Sequence, residues 1–365
     1  MRFGLAVEEE RLVALLRPDE RIQTVITADV YGEGEADRLL GKALAGLPRE
    51  RFCLVGAIGH DFYAGTRQGA KGFPRFTDPA LRPPNRYADY IRMATEQSLE
   101  RLGQDRFDLL LLHNPDRTGY RSELVWQGFA AVKEAGLAGR VGVAPGPANG
   151  FVLDLIDCFE RFAGLVEWAM VILGPLEPWP GELVLAAAKC HRVRLITRVV
   201  DYGGLLFGDV DAEERFPPQD HRNFRPRGWV RSGLEKVDQL AELARARGLT
   251  PFQLGAAYNL SQPAVACVVP TLIQEQGAQA RPIEQKRAEL AALAELARRG
   301  ALALSPTELG RIRAIGDNSG SMELKGGNPR QREEVLADRW PLDERLATLA
   351  SRYGIDPDRQ LVQTG

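Results

Sequence analysis

The chain has 365 residues, 44 % hydrophobic, 26 % charged and 7 % aromatic, a composition that fits a soluble globular protein and excludes a disordered one. Forty-seven basic residues against 49 acidic give a net charge of −2, so no electrostatic signal for nucleic acid is present. No apolar run reaches the roughly 18 residues of a membrane span, and the start reaches Glu8-Glu9-Glu10, unlike a secretory leader.

Short aliphatic runs alternate with longer amphipathic stretches along the chain. Strands are expected at residues 2–6, 22–28, 52–58, 107–113, 140–144, 168–174, 193–200 and 264–270. The unbroken run Leu109-Leu110-Leu111-Leu112 suits a strand buried on both faces, as parallel sheets require. Helical patterns cover 33–47, 86–102, 122–135, 150–162 and 181–190; two more, 230–247 and 251–260, precede the last strand. Ser122-Glu123 and Thr250-Pro251 read as helix starts. Eight strands alternating with helices predict the α/β class and a single (β/α)8 TIM barrel with extra helices. The barrel is expected to occupy 1–316, followed by a C-terminal extension over 317–365 with a helical segment at 341–353.

Cys53, Cys158, Cys190 and Cys267 lack CxxC spacing and lie in apolar stretches, which predicts buried, reduced thiols and a cytoplasmic protein without structural zinc. Arginine outnumbers lysine forty to seven, so candidates for a catalytic lysine can be enumerated.

In such barrels, chemistry sits at the carboxyl ends of the strands and in the loops that follow. Those positions hold Asp29 and Tyr31, His60 and Asp61, His113 and Asn114, Arg198, Asp201 and Tyr202, with Trp179 after the sixth strand. Asp29 is two residues before Tyr31 and is expected on its face if the strand continues that far. The long loop 59–76 carries Lys71, the one lysine at this end of the barrel. His60 with Asp61 reads as a general acid/base set or as a loop-packing hydrogen bond. No HxH or HxxxH spacing supports a metal site.

Several stretches resemble the aldo-keto reductase superfamily. They are Thr27-Ala28-Asp29-Val30-Tyr31-Gly32, Ser98-Leu99-Glu100-Arg101-Leu102-Gly103 with Phe107-Asp108-Leu109-Leu110-Leu111-Leu112-His113, Pro175-Leu176-Glu177, Gly203-Gly204-Leu205-Leu206, and Thr250-Pro251 with Gln253-Leu254. The resemblance implies an aspartate–tyrosine–lysine–histidine tetrad, and NADP(H) or NAD(H) as cofactor. Tyr31 and His113 match, whereas the aspartate and lysine positions hold Ile26 and Ala57, leaving the tetrad half degenerate. The expected nicotinamide contacts fall on Ala144-Pro145 and Met170, and the phosphate clamp falls on 270–276, which includes Gln274 and Glu275, with Arg281 beyond it.

A buried tyrosine without its lysine still donates a proton but is a poor base near neutral pH. Ile26 and Ala57 are a consistent apolar replacement that strands no charge. Together these predict a bacterial-type enzyme acting on a polar carbonyl or hydroxyl small molecule by redox-neutral proton transfer through Tyr31 and His113. A nicotinamide-dependent oxidoreductase with rearranged cofactor contacts and a non-catalytic binding barrel are the two alternatives. In the implied family the C-terminal segment lies over the barrel mouth, so 317–365 is expected as a lid, with a structural or interface role as the alternative.

Overall fold

A computed structural model describes residues 3–69, 72–146, 152–213, 216–218, 220–225, 228–319 and 342–361. The chain packs as two compact units. One comprises Glu8–Gly146 and Asp157–Ala169; the other comprises Met1–Val7, Pro147–Ile156 and Met170–Gly365.

In the first unit, α1 (Glu9–Leu16), β1 (Thr24–Ile26), α2 (Glu35–Leu44), β2 (Cys53–Ile58), α3 (Tyr87–Leu102), β3 (Phe107–His113), α4 (Arg117–Arg121), α5 (Glu123–Glu134) and β4 (Ala138–Ala144) follow one another. Its strands are parallel, with Val25 opposite Leu54, Val55 opposite Leu109 and Leu110 opposite Val141. Strand β3 coincides with the predicted run. Leu109 to Leu112 are all buried because both faces of the strand are covered. Helix α3 stops at Gly103, whose φ of 63° closes the helix at its C-terminus. Helix α6 (Val152–Arg161) and strand β5 (Val166–Ile172) contribute residues to both units.

The second unit contains α7 (Leu185–Cys190), β6 (Arg194–Arg198), α8 (Trp229–Ala246), α9 (Pro251–Leu260) and β7 (Val265–Val269). Helices α10 (Ile283–Arg298), α11 (Pro306–Ile315) and α12 (Glu344–Arg352) follow. Strands β6 and β7 are parallel, Ile196 opposite Cys267 and Arg198 opposite Val269. Thr250 and Gln253 form a reciprocal cap with Pro251 in the first turn, so α9 begins where the sequence placed it. The core here is Leu205, Leu206, Phe207, Leu240, Phe252 and their neighbours.

Two expectations need correction. Residues 3–6 are irregular rather than a strand, so the described strands number seven; Leu5 N–H donates to Gln274 O at 2.9 Å, one isolated bond in place of a ladder. Among the cysteines, all free, only Cys158 is buried; Cys53 and Cys267 are half-buried, and Cys190 at the end of α7 is exposed. Helices α1, α4 and α11 have no counterpart in the sequence reading.

Candidate active site

The ends of β1, β2 and β3 bring four of the expected residues together. His113 closes β3 and is buried. Tyr31, 55 % exposed, meets it edge-to-face with ring centroids 5.6 Å apart. His60 meets His113 from the other direction at 5.3 Å. Gly59 makes that approach possible, because a Cβ there would collide with the backbone carbonyl of His113.

His60 is fixed at both nitrogens. Its Nδ1 is 2.8 Å from Phe73 O, and its Nε2 is 3.2 Å from Asn114 Nδ2. A carbonyl only accepts, so the first contact assigns the proton to Nδ1; Nε2 then accepts from the Asn114 amide. Asn114 follows His113 with a φ of 46°, a left-handed conformation that asparagine adopts more readily than most residues. Its N–H donates to Ala144 O at 2.7 Å.

Loop 59–76 folds back on itself. Asp61 N–H donates to Pro74 O at 2.8 Å and Phe76 N–H to Gly59 O at 3.0 Å. This brings Arg75 to the site, a residue the sequence did not single out. Its Nε donates to Asn114 O, and its Nη1 is 3.2 Å from His60 Nδ1.

Asp61 is not the acid/base partner of His60. It is fully buried; Oδ1 accepts from Tyr63 N–H at 3.0 Å and Ala64 N–H at 2.9 Å, while Oδ2 pairs with Arg82. Both oxygens are thus committed to shaping the loop.

Asp29 does not share Tyr31's surroundings either. Ladder bonds continue past β1, Thr27 N–H to Val55 O and Asp29 N–H to Ala57 O, so Thr27 and Asp29 share a face. Thr27 Oγ1 donates to Asp37 Oδ1 in α2 at 2.7 Å, so that face looks toward the helices. The chain turns before Tyr31, whose N–H donates to Ala28 O. Burial, then the nearby Asp37 carboxylate, push the Asp29 carboxyl well above the usual range, although Tyr63 donates to Oδ2 at 3.4 Å. Arg101 joins Asp37 and Tyr63 at 3.1 and 3.0 Å.

The remaining candidates, Lys71 apart, belong to the second unit. Asp201 is fully buried and accepts from Gly204 N–H and Thr271 N–H, both at 2.8 Å. Burial raises its pKa to about 6, against the pull of those backbone bonds and of Arg225. Tyr202 is packed edge-on to Trp229 and lies under the Arg225 guanidinium, so its ring belongs to the core. Trp179 is buried too, its N–H and C=O both engaged by the Asn318 side chain. Arg198 ends β6, half-buried. Lys71 lies outside the described residues.

The segment after β7 bears on a cofactor. Glu275 forms a two-pronged pair with Arg222, at 2.7 and 2.9 Å. Arg222 also binds Asp220, and all three side chains are buried. Arg281 donates to Phe207 O and pairs with Glu289 at 2.9 Å, while Lys286 pairs with Asp209 in full burial. Among the described residues no group of three His, Cys, Asp or Glu could hold a metal ion, and no helix is long and apolar enough to cross a membrane.

Comparison with known proteins gives three findings. The Aldo/keto reductase family matches residues 12–281. A probable voltage-gated potassium channel subunit beta of Arabidopsis thaliana is 25 % identical, over 73 % of this chain and 79 % of its own; aldo-keto reductase YhdN of Bacillus subtilis is 28 % identical, over 67 % and 69 %. An aldo/keto reductase from Klebsiella pneumoniae, solved with NADP and acetate, superposes with a TM-score of 0.56 at 20 % identity, over 86 % of this chain and 90 % of that one. The structural likeness gives the fold, an α/β (β/α)8 barrel.

Proposed function

The chain belongs to the aldo-keto reductase family, and from that premise we propose that it is an oxidoreductase interconverting a polar carbonyl compound and its alcohol with a nicotinamide cofactor. The Tyr31–His113 pair carries the reading: the family's proton donor and substrate-orienting histidine are in edge-to-face contact, with the tyrosine open to solvent. The named reductases among the relatives support this over redox-neutral proton transfer, which is set aside. Replacing the tetrad's aspartate and lysine by Ile26 and Ala57 alters how the tyrosine is activated and leaves the donor itself in place.

A bound nicotinamide supplies or accepts the hydride. In reduction, Tyr31 gives its phenol proton to the substrate oxygen. His113, buttressed by His60 and Asn114, holds that oxygen in line.

The residues after β7 do not fit a 2′-phosphate. Cations that would form its charge-assisted bonds are engaged, Arg281 by Glu289 and Lys286 by Asp209, and Glu275 adds a carboxylate to the segment. The cofactor of this reading is therefore NAD(H). Four free cysteines accord with a reducing compartment such as the cytoplasm. In this reading residues 1–316 form the barrel and 317–365 an extension to it.

Calorimetric titration with NADH and NADPH, alongside a carbonyl-reduction screen, tests the proposal. The expected result is NADH binding and a turnover lost in Tyr31→Phe. Turnover that needs Tyr31 in a protein binding neither cofactor would restore the redox-neutral reading; absence of both binding and turnover would leave a non-catalytic barrel.

A further inference from the structure

Half-buried arginines of the first unit have carboxylate partners close by: Arg82 has Asp61, Arg101 has Asp37 and Arg49 has Asp108. Arg75 differs. Among the described residues no carboxylate comes within ion-pair distance of it. Its contacts are the carbonyl of Asn114 and the ring of His60. The acid that acts on it most is Asp116, whose oxygens are already engaged, Oδ1 by Gly119 N–H and Oδ2 by Thr77 Oγ1, both at 2.7 Å. Desolvation pulls the Arg75 pKa down, and the charges of Asp116 and Tyr120 only partly oppose it.

A desolvated cation without a counter-ion is costly in a folded protein. It is retained where something else completes it. Here the guanidinium is held by the carbonyl of the residue that follows His113 and lies beside the histidine that packs on His113. A planar guanidinium offers paired donors that match carboxylate, sulfonate or phosphate oxygens.

We propose that Arg75 is the anion-recognition residue of this site, and that the substrate is a small carbonyl compound carrying an acidic group which the guanidinium binds. The substrate class rests on the reductase reading above; the anion site itself does not. With the anion on Arg75 and the carbonyl at Tyr31, His113 lies between the two ends of the substrate, so binding and proton transfer share one scaffold. Arg75 acts through affinity and orientation and transfers no proton.

Calorimetric titration separates the two ideas. Benzoate, benzenesulfonate and phenyl phosphate serve as anionic probes, benzamide as the neutral one, each on the full chain and on Arg75→Gln and Arg75→Lys. The anions are expected to bind at least tenfold tighter than benzamide. Arg75→Gln should erase that preference and Arg75→Lys should restore part of it. Which of the three anions binds tightest identifies the acidic group. Equal binding of charged and neutral probes, no binding of any, or an undiminished preference in a folded Arg75→Gln protein would overturn the proposal. Anion binding without carbonyl turnover would keep Arg75's role while removing the reductase reading, and turnover with no anion preference would do the reverse.

Discussion

Both units pair most of their buried charge, and the first keeps its exceptions at the strand ends. In the second, charged groups close on one another: Arg222 donates to Asp220, Glu275 and the Gly203 carbonyl, Lys286 meets Asp209, and Arg225 meets Glu177. In the first, Tyr31 opens to solvent, Arg75 lacks a carboxylate, and Asp29 keeps one buried oxygen without a hydrogen-bond partner among the described residues. A region whose polar groups satisfy one another has little left with which to recognise a ligand. A region that leaves a cation without a carboxylate and a phenol open to solvent keeps both within reach of a ligand. The contrast separates electrostatics spent on folding from electrostatics available for chemistry.

The largest test of that contrast is Arg222→Met. It would leave Asp220 and Glu275 facing each other in burial without their cation, a loss of about 3–5 kcal/mol, read as a shift in the denaturant midpoint. Neutralising the acids as well, with Asp220→Asn and Glu275→Gln, should recover much of it. Arg75→Gln strands no carboxylate. Its stability cost should stay near the value of one hydrogen bond, about 1 kcal/mol. Equal costs for the two arginines would erase the distinction.

Tyr31→Phe probes the other side of the comparison. Removing a general acid lowers turnover by about 10²–10⁴-fold. The exposed ring predicts an unchanged unfolding midpoint, because the hydroxyl is not part of the buried core. A loss of activity accompanied by a loss of stability would make Tyr31 structural.

The sealed unit should also show in the pH dependence of stability. Asp201 has a folded pKa of about 6, above its ordinary value, because burial outweighs its two backbone bonds. Between roughly pH 4 and 6 the folded state therefore binds more protons than the unfolded one, and stability falls as pH rises through that window. At about 1.4 kcal/mol per unit the drop amounts to about 3 kcal/mol. Asp201→Asn should flatten the fall in a midpoint-versus-pH profile. A profile that keeps its slope in the variant would assign it elsewhere, with Asp29, shifted in the same direction, the first place to look.

Much of the fold was legible because apolar runs and helix starts are local. Leu109 to Leu112 marked β3 to the residue, and Thr250-Pro251 marked α9. Of the candidate-site residues, the structure brings together Tyr31, His60, His113 and Asn114, which strand ends place directly. Asp61 misled because adjacency to His60 says nothing about direction; its oxygens turn into the loop and to Arg82. Asp29 misled because period-two alternation fails once the chain turns between Asp29 and Tyr31. Tyr202 and Trp179 stand at strand ends yet point into packed surroundings. Arg75 was hidden since its role comes from the fold-back of loop 59–76, a tertiary event with no sequence period. The missing signal is an absence: an arginine near the rim with no carboxylate folded onto it.

The smallest expected effect concerns the C-terminal extension, expected as a lid. Asn318 anchors its start to the backbone of Trp179, after β5. Helix α12 lies beyond the undescribed stretch and buries Leu346, Leu349 and Ala350. Just after it, Tyr353 OH is 3.0 Å from His191 Nε2. His191 caps the end of α7, three residues before β6 begins, beside the amino end of that strand. Barrel chemistry belongs to the carboxyl ends. Tyr353→Phe should therefore cost only about 0.5–1.5 kcal/mol of stability and leave KM for any carbonyl substrate unchanged. A KM that moves with this substitution would mean that the His191 contact governs how the extension meets the substrate. An unmoved KM together with a lowered midpoint would place α12 with the self-satisfied polar contacts of the second unit.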